Sequence, residues 1–170
     1  MTAHPNVLLI NPTITSRRSA RFPLAVLSLS AALDGKYSST ILDGNIDRDF
    51  VATATRRVGE GQVKAVGITV MGGPQLTSAI AVSKAIRAAA PSIPIIWGGA
   101  FPTVCPAATV SSPYVDYAVR SQGQETLVEL LDALDLGRAA DLTSIAGLTG
   151  ALEARWSTTR SGDSPPTAWG

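Results

Sequence analysis

Sulfur and imidazole are scarce: among 170 residues there is one cysteine, Cys105, and one histidine, His4. A lone cysteine makes no internal disulfide and cannot supply a Cys-rich zinc or iron–sulfur site by itself. It reads as a small buried hydrophobe rather than a redox or ligand residue. Net charge is nearly absent as well. Fourteen Lys and Arg against thirteen Asp and Glu leave a formal +1, so nothing points to nucleic acid, an acidic partner or an anionic membrane as the main target. Apolar runs stop well short of the ~18 residues that a membrane span requires. The polar start MTAHPN has neither the basic end nor the apolar middle of a signal peptide, and a cytoplasmic location is expected. No internal repeat is present, which removes solenoids. Only Asp43 is obvious among acids at strand ends, too few for response-regulator chemistry. The first loop has no run of Ser/Thr and Gly suited to cradling the phosphate of FMN or a nucleotide.

Apolar residues make up 45% of the chain, enough for one well-buried core, and a second domain of normal size does not fit. Two stretches organise the remainder. Ile93 to Thr103, IPIIWGGAFPT, and Ala65 to Gln75, AVGITVMGGPQ, are apolar runs that end in paired glycines and a proline. Continuous rather than alternating apolar runs predict strands covered on both faces, as in a parallel sheet between helical layers. Glycines past the carboxyl ends of such strands leave the backbone open to a ligand.

Read in order, Asn6 to Ile10 is a first strand. A helix starts at Pro23 with Leu24, Leu27, Ala31 and Leu33 inward and stops at Gly35. Ser39 to Leu42 is a second strand, ending at the turn-forming Asp43-Gly44-Asn45. Asp47 N-caps a helix to about Val58. A helix from Pro74 to Ala90, a short one at Ala107 to Val110, a strand at Tyr114 to Val119 and a helix from Glu125 to Leu136 follow. The last of these turns Leu127, Leu130, Leu131 and Leu134 inward. Trp97 is expected between sheet and helix. Five strands separated by helices predict an α/β fold, a Rossmann-like (flavodoxin-like) doubly wound parallel sheet in the order 2-1-3-4-5, with ligand at the switch between strands one and three. Residues 1–150 form this domain. From Ala151 the chain is rich in Ser, Thr, Arg, Pro and Gly without a period, and a mobile tail is expected; a truncated or frame-shifted remnant of a longer protein has the same appearance.

In sequence order, NVLLINP, RFPLAVLSLSAAL, ILDGNI, AVGITVMGGPQLTSAIAVSKAIR, PSIPIIWGGAFPTVCPAATVSSPYVDYAVRSQGQETLVELLDAL and IAGLT resemble the cobalamin (vitamin B12)-binding domain of cobalamin-dependent radical S-adenosylmethionine enzymes. The resemblance implies a domain that holds a corrinoid over the carboxyl ends of its strands. Thr69, Val70, Met71, Gly72, Gly73 and Gln75 are then the shelf beneath the ring. Gly98, Gly99 and Ala100 give the nucleotide tail room, and Pro102 and Thr103 shape its exit. Pro12 in the first loop, Asp43, Gly44 and Asn45 after the second strand, and Arg120, Gly123 and Glu125 after the fifth complete the implied cofactor-binding set. Asp43 reads equally as a turn cap and as a partner for a corrin amide. Arg17 and Arg18 read as a solvated loop rather than a phosphate clamp, and Met71 as gap-filling core or a ring contact.

Corrinoid carriers of the methionine synthase kind use Asp-x-His-x-x-Gly after the first strand, whereas this loop reads Asn11-Pro-Thr-Ile-Thr-Ser-Arg-Arg18. His4 precedes the first strand, at the opposite edge. Base-off cobalamin without a histidine ligand is therefore implied, an arrangement that favours Co(I), the methyl-accepting nucleophile of the methylating members. The family often has GGAHPT and a VRGEGE-like loop, where this chain has Phe101 and Arg120-Ser121-Gln122-Gly123-Gln124. No Cys-x-x-x-Cys-x-x-Cys occurs, so this chain carries no iron–sulfur cluster, and a radical S-adenosylmethionine domain or protein would act in cis or in trans. Two other classes stay open: a cobalamin-free interaction or scaffold protein, which Phe101 and the altered loop permit, and a stand-alone enzyme using Asp43 or Glu125 as acid or base.

Overall fold

The computed structural model describes residues 6–14, 22–137 and 139–150; His4, Arg17, Arg18 and the expected tail lie outside them. Strand β1 (Asn6–Asn11) is the centre of the fold. Its four apolar residues Val7, Leu8, Leu9 and Ile10 have no exposed surface, each burial contributing roughly 1.5–3 kcal/mol. Because successive side chains point to opposite faces, Leu8 and Ile10 enter one core layer and Val7 and Leu9 the other. β2 (Ser38–Asp43) and β3 (Val63–Thr69) pair parallel with β1 on either side. β4 (Ile95–Gly98) and β5 (Tyr117–Val119) continue the parallel sheet. The expected order 2-1-3-4-5 is present, and a sixth strand, β6 (Leu148–Gly150), adds to it antiparallel against β5.

Helices α1 (Leu24–Leu33) and α6 (Gln124–Asp135) cover one face, and α2 (Phe50–Gly59) and α3 (Pro74–Ala89) the other. Two short helices, α4 (Ala100–Val104) and α5 (Pro106–Val110), follow β4. Trp97 lies between sheet and α3 as expected, its indole N–H donating to the buried Ser83 hydroxyl at 2.9 Å. A buried indole needs such a partner.

Three expectations need correction. Helix α1 buries Val26 and Leu33, while Leu24 is 72% and Leu27 37% exposed. LAVLSLSAAL carries no charged residue, so periodicity could not choose its inward face. Helix α2 begins at Phe50, with Asp49 in the N-cap position. Asp47 instead braces the preceding turn, accepting from the Asp49 amide at 2.9 Å and the Thr53 hydroxyl at 3.0 Å. β5 is only three residues long, because Tyr114 to Asp116 form the approach to it, where the Asp116 carboxylate accepts from the Ile95 amide at 2.8 Å.

All salt bridges among the described residues lie at the amino edge of the sheet. Arg87 joins the end of α3 to Asp116, Arg56 pairs with Glu60, and Lys36 and Lys64 pair with Asp132 and Asp135 at the end of α6. Tyr37, 6% exposed, donates to Asp132 at 2.8 Å and sits within 2.9 Å of Asp135, with the Lys64 ammonium 5.4 Å from its ring centroid. Burial would raise the Asp132 carboxyl, but hydrogen bonds from Lys36 and Tyr37, with the charges of Lys36 and Lys64, outweigh it and hold it below the usual range. Burial, the hydrogen bond to Asp132 and that carboxylate's charge push the Tyr37 phenol up to about 12. The folded state then keeps this proton after the unfolded chain has lost it, so the stabilisation is complete below the ordinary phenol value and fades as pH rises toward the folded one. Denaturant unfolding at pH 11 should show about 1.4 kcal/mol less stability from this group than at pH 9. That increment should vanish from the difference in Tyr37→Phe; an identical pH slope in the variant refutes the assignment.

Candidate functional site

The carboxyl edge is built from amides, hydroxyls and bare backbone. Asn11 ends β1 and donates its amide to Asp43 Oδ1 at 3.0 Å. The same oxygen accepts the Asn45 backbone N–H at 3.0 Å and side-chain amide at 2.8 Å, an Asx turn that fixes the loop after β2. Asp43 thus acts as the turn cap, and its Oδ2 is buried without a partner. Asn45 in turn accepts from the Ile14 amide at 2.9 Å. Gly44 admits this crossing chain, since a Cβ there would lie 2.9 Å from Thr13 Oγ1. Gln75, 2% exposed, donates to Asn11 Oδ1 at 3.0 Å and to the Pro12 carbonyl at 3.1 Å, and accepts from the Met71 amide at 2.9 Å. One buried amide therefore ties the ends of β1 and β3 together at the switch point.

Among the described residues, three depressions open along this edge. A basin of about 490 Å³ lies over the ends of β1 and β3, lined by Asn11, Asn45, Thr69, Met71 and Gln75 on one side and by Phe22 to Ala25 on the other. Thr69 and Ala25 continue into a cleft of about 150 Å³ between α1 and α6. Its walls include Gly67, Gly98, Gly99, Val119, Gly123 and Leu127. The loop Arg120 to Gln124 divides the cleft from a more polar hollow of about 580 Å³ bounded by Arg120, Glu125 and Gly147.

The adjacent glycines where β4 ends and α4 begins do different work. Gly99 has φ +102, and a Cβ on it would come within 2.9 Å of the Val70 carbonyl oxygen. Glycine is required there by the backbone itself. Gly98 faces the same side of the sheet as Ile96 and the cleft, and its Cβ would meet nothing closer than the Val119 carbonyl at 3.8 Å. Space is what its missing side chain leaves. In the next loop Ser121 adopts φ 60, a left-handed conformation that costs a non-glycine residue about 1–2 kcal/mol. This is the position where the VRGEGE-like pattern has glycine. Its amide donates to Thr103 Oγ1 at 2.8 Å, which holds the loop in that conformation.

Of the residues singled out from sequence, Asn45, Thr69, Met71 and Gln75 border the basin, Thr69, Gly98, Gly99 and Gly123 the cleft, and Arg120 and Glu125 the outer hollow. Pro12, Asp43, Gly44, Val70, Gly72, Gly73, Ala100, Pro102 and Thr103 line none of these three. Val70 is buried, with its amide donating to Gly98 at 2.7 Å and its carbonyl accepting from Phe101 at 3.0 Å. Pro102 is buried in α4, and Thr103 donates its hydroxyl to the Gly99 carbonyl at 2.7 Å. Met71 is 49% exposed, so it is not gap-filling core. Phe101 packs edge-on against Trp97, centroids 6.5 Å apart, and leaves the cleft open. Cys105, between α4 and α5, is partly exposed rather than buried. Sequence reading missed Asn11 and the α1 residues Ala25, Ser28 and Leu29. The signal was present in α1: a helix apolar on all sides belongs against something on more than one side.

A doubly wound sheet with a basin over its switch point and a small-residue cleft beside it has the form of an α/β ligand-binding domain. Residues 11–131 match the family described as the B12 binding domain, and the chain belongs to that family. Among solved structures it is similar to the radical S-adenosylmethionine methyltransferase TsrM from Kitasatospora setae, solved with tryptophan substrate and a SAM analogue, at 27% identity and TM-score 0.73. That match covers 86% of this chain and 28% of TsrM. TsrM has also been solved with cobalamin and a [4Fe-4S] cluster bound, a match at 26% identity. The cobalamin-dependent radical enzyme OxsB, with aqua-cobalamin and S-adenosylmethionine, shares the fold at 19% identity and TM-score 0.72, over 85% of this chain and 20% of OxsB. The chain therefore spans less than a third of either enzyme. No curated protein matches the sequence.

Proposed function

We propose that this chain is a cobalamin-binding module that works with a radical S-adenosylmethionine domain or protein, joined in cis or supplied in trans. The observation that carries the reading is the open space at Gly98, where a Cβ would enter the cleft and meet only the Val119 carbonyl, at an ordinary contact distance of 3.8 Å. The basin and cleft share Thr69 and Ala25, and together they fit a broad, largely apolar ring with a thinner appendage. In this reading the corrin rests over Thr69 to Met71 and Asn45, and the nucleotide tail enters between α1 and α6. Asp43, Gly44, Pro12 and Gln75 act at one remove, fixing the loops that touch the ring. Arg120 and Glu125 face the rim, where amide side chains of a corrin find polar partners.

No histidine borders the basin among the described residues, which supports base-off binding without a protein imidazole. When bound, the cofactor would supply cobalt-centred methyl transfer; this chain's own part is to hold and orient it and to keep water from its lower side. TsrM, a methyltransferase solved with cobalamin and an iron–sulfur cluster, supports assigning the radical step to a partner. The test is direct. The purified chain mixed with hydroxocobalamin and passed through gel filtration should elute coloured, with a base-off visible spectrum. Colourless protein refutes the reading, and a base-on spectrum refutes the ligation state alone.

A further inference from the structure

Resting on that reading, we infer that the cleft between α1 and α6 selects among corrinoids by the base that ends the nucleotide tail, accepting an apolar substituted benzimidazole and rejecting a purine. The lining is sorted by depth. Ile96, Val119 and Leu127 are the buried side chains, each at most 4% exposed and all in the core layer under α1 and α6. Every polar side chain in the lining, such as Ser28, Thr69 and Gln124, reaches solvent at least in part. At the mouth the Gln124 amide donates one N–H to the Ser28 hydroxyl at 2.9 Å, which places the polar side chains of the cleft beside solvent rather than in its interior. The backbone of β3, β4 and β5 offers little more, because the strands pair with one another through the cleft wall. A volume of about 150 Å³ is of the order that holds an aromatic group in a dry apolar cavity.

A dimethylbenzimidazole attached through one ring nitrogen brings a single further nitrogen and an apolar edge. An adenine brings an exocyclic amine and additional ring nitrogens, which the interior side chains cannot satisfy. Burying unpaired polar groups is costly whichever partner carries them. Binding of the adenine-containing cobamide should be at least roughly tenfold weaker than that of cobalamin.

The experiment titrates the full chain with three corrinoids, following tryptophan fluorescence and the visible spectrum. These are cobalamin, the adenine-containing cobamide, and cobinamide, which lacks the nucleotide tail. Cobalamin is expected to bind tightest. Two variants then place a polar group on the wall: Leu29→Gln, on a half-buried position of α1, and Val119→Thr, nearly equal in volume. Either should bring the two cobamides closer in affinity, with circular dichroism confirming the fold. Equal affinity of the wild-type chain for both cobamides overturns the selectivity, and so does cobinamide binding as tightly as cobalamin. Failure of all three corrinoids to bind sinks the cobalamin reading itself. The wild-type comparison decides the matter even if neither variant folds.

Discussion

Gly98→Val is expected to weaken cobalamin binding by roughly a hundredfold or more while leaving the fold at least as stable. Valine suits a strand, and removing a glycine from a strand interior returns about 0.5–1 kcal/mol. The new Cβ meets no protein atom within 3.4 Å, so the added methyl groups project into a cleft of only about 150 Å³. The neighbouring Gly99→Ala supplies the contrast. Its Cβ would collide with the Val70 carbonyl at 2.9 Å and its φ of +102 disfavours any side chain, so about 2 kcal/mol or more of stability should be lost. Urea unfolding paired with a spectral titration separates the two. If Gly98→Val takes up cofactor like the wild type, the tail does not use this cleft.

Gln75→Leu should destabilise the chain by about 3 kcal/mol, although leucine matches glutamine in bulk and is the better apolar residue for a buried site. Three hydrogen bonds go with the amide: those to Asn11 Oδ1, the Pro12 carbonyl and the Met71 amide. Left inside without partners, these groups cost far more than the bonds contributed when intact. Because Asn11 also donates to Asp43 Oδ1, the loss reaches the loop after β2. Cobalamin affinity should therefore fall along with stability, and Gln75→Glu should recover only the Met71 contact, since a carboxylate cannot donate to Asn11 or Pro12. A melting curve for Gln75→Leu that overlays the wild type would show the network to be dispensable.

The architecture was legible because its strands are continuous apolar runs: Val7 to Ile10 can only be covered on both faces, and once the helices between strands are counted the parallel order follows. β6 was not legible, since Leu148–Gly150 is too short to display a period. The roles of individual site residues were hidden for reasons of chemistry rather than length. Gly98 and Gly99 are the same letter twice, yet one is dictated by a backbone angle and the other by empty space. Gln75 was legible as a residue of the carboxyl edge, where it borders the basin, but not as the buried amide that ties β1 to β3. Met71, by contrast, proved open to solvent. The α1 wall of the cleft was hidden because a segment apolar at nearly every position gives no clue to which side turns in.

The placement of every observed ion pair at the amino edge, away from the basin and cleft, gives the molecule two poles with separate duties. One pole is riveted by charge and sets how hard the domain is to pull apart; the other is furnished with neutral groups and decides what it carries. Sequence drift at the riveted pole can retune thermal endurance without redesigning the cargo hold, and the hold can change its passenger without loosening the rivets.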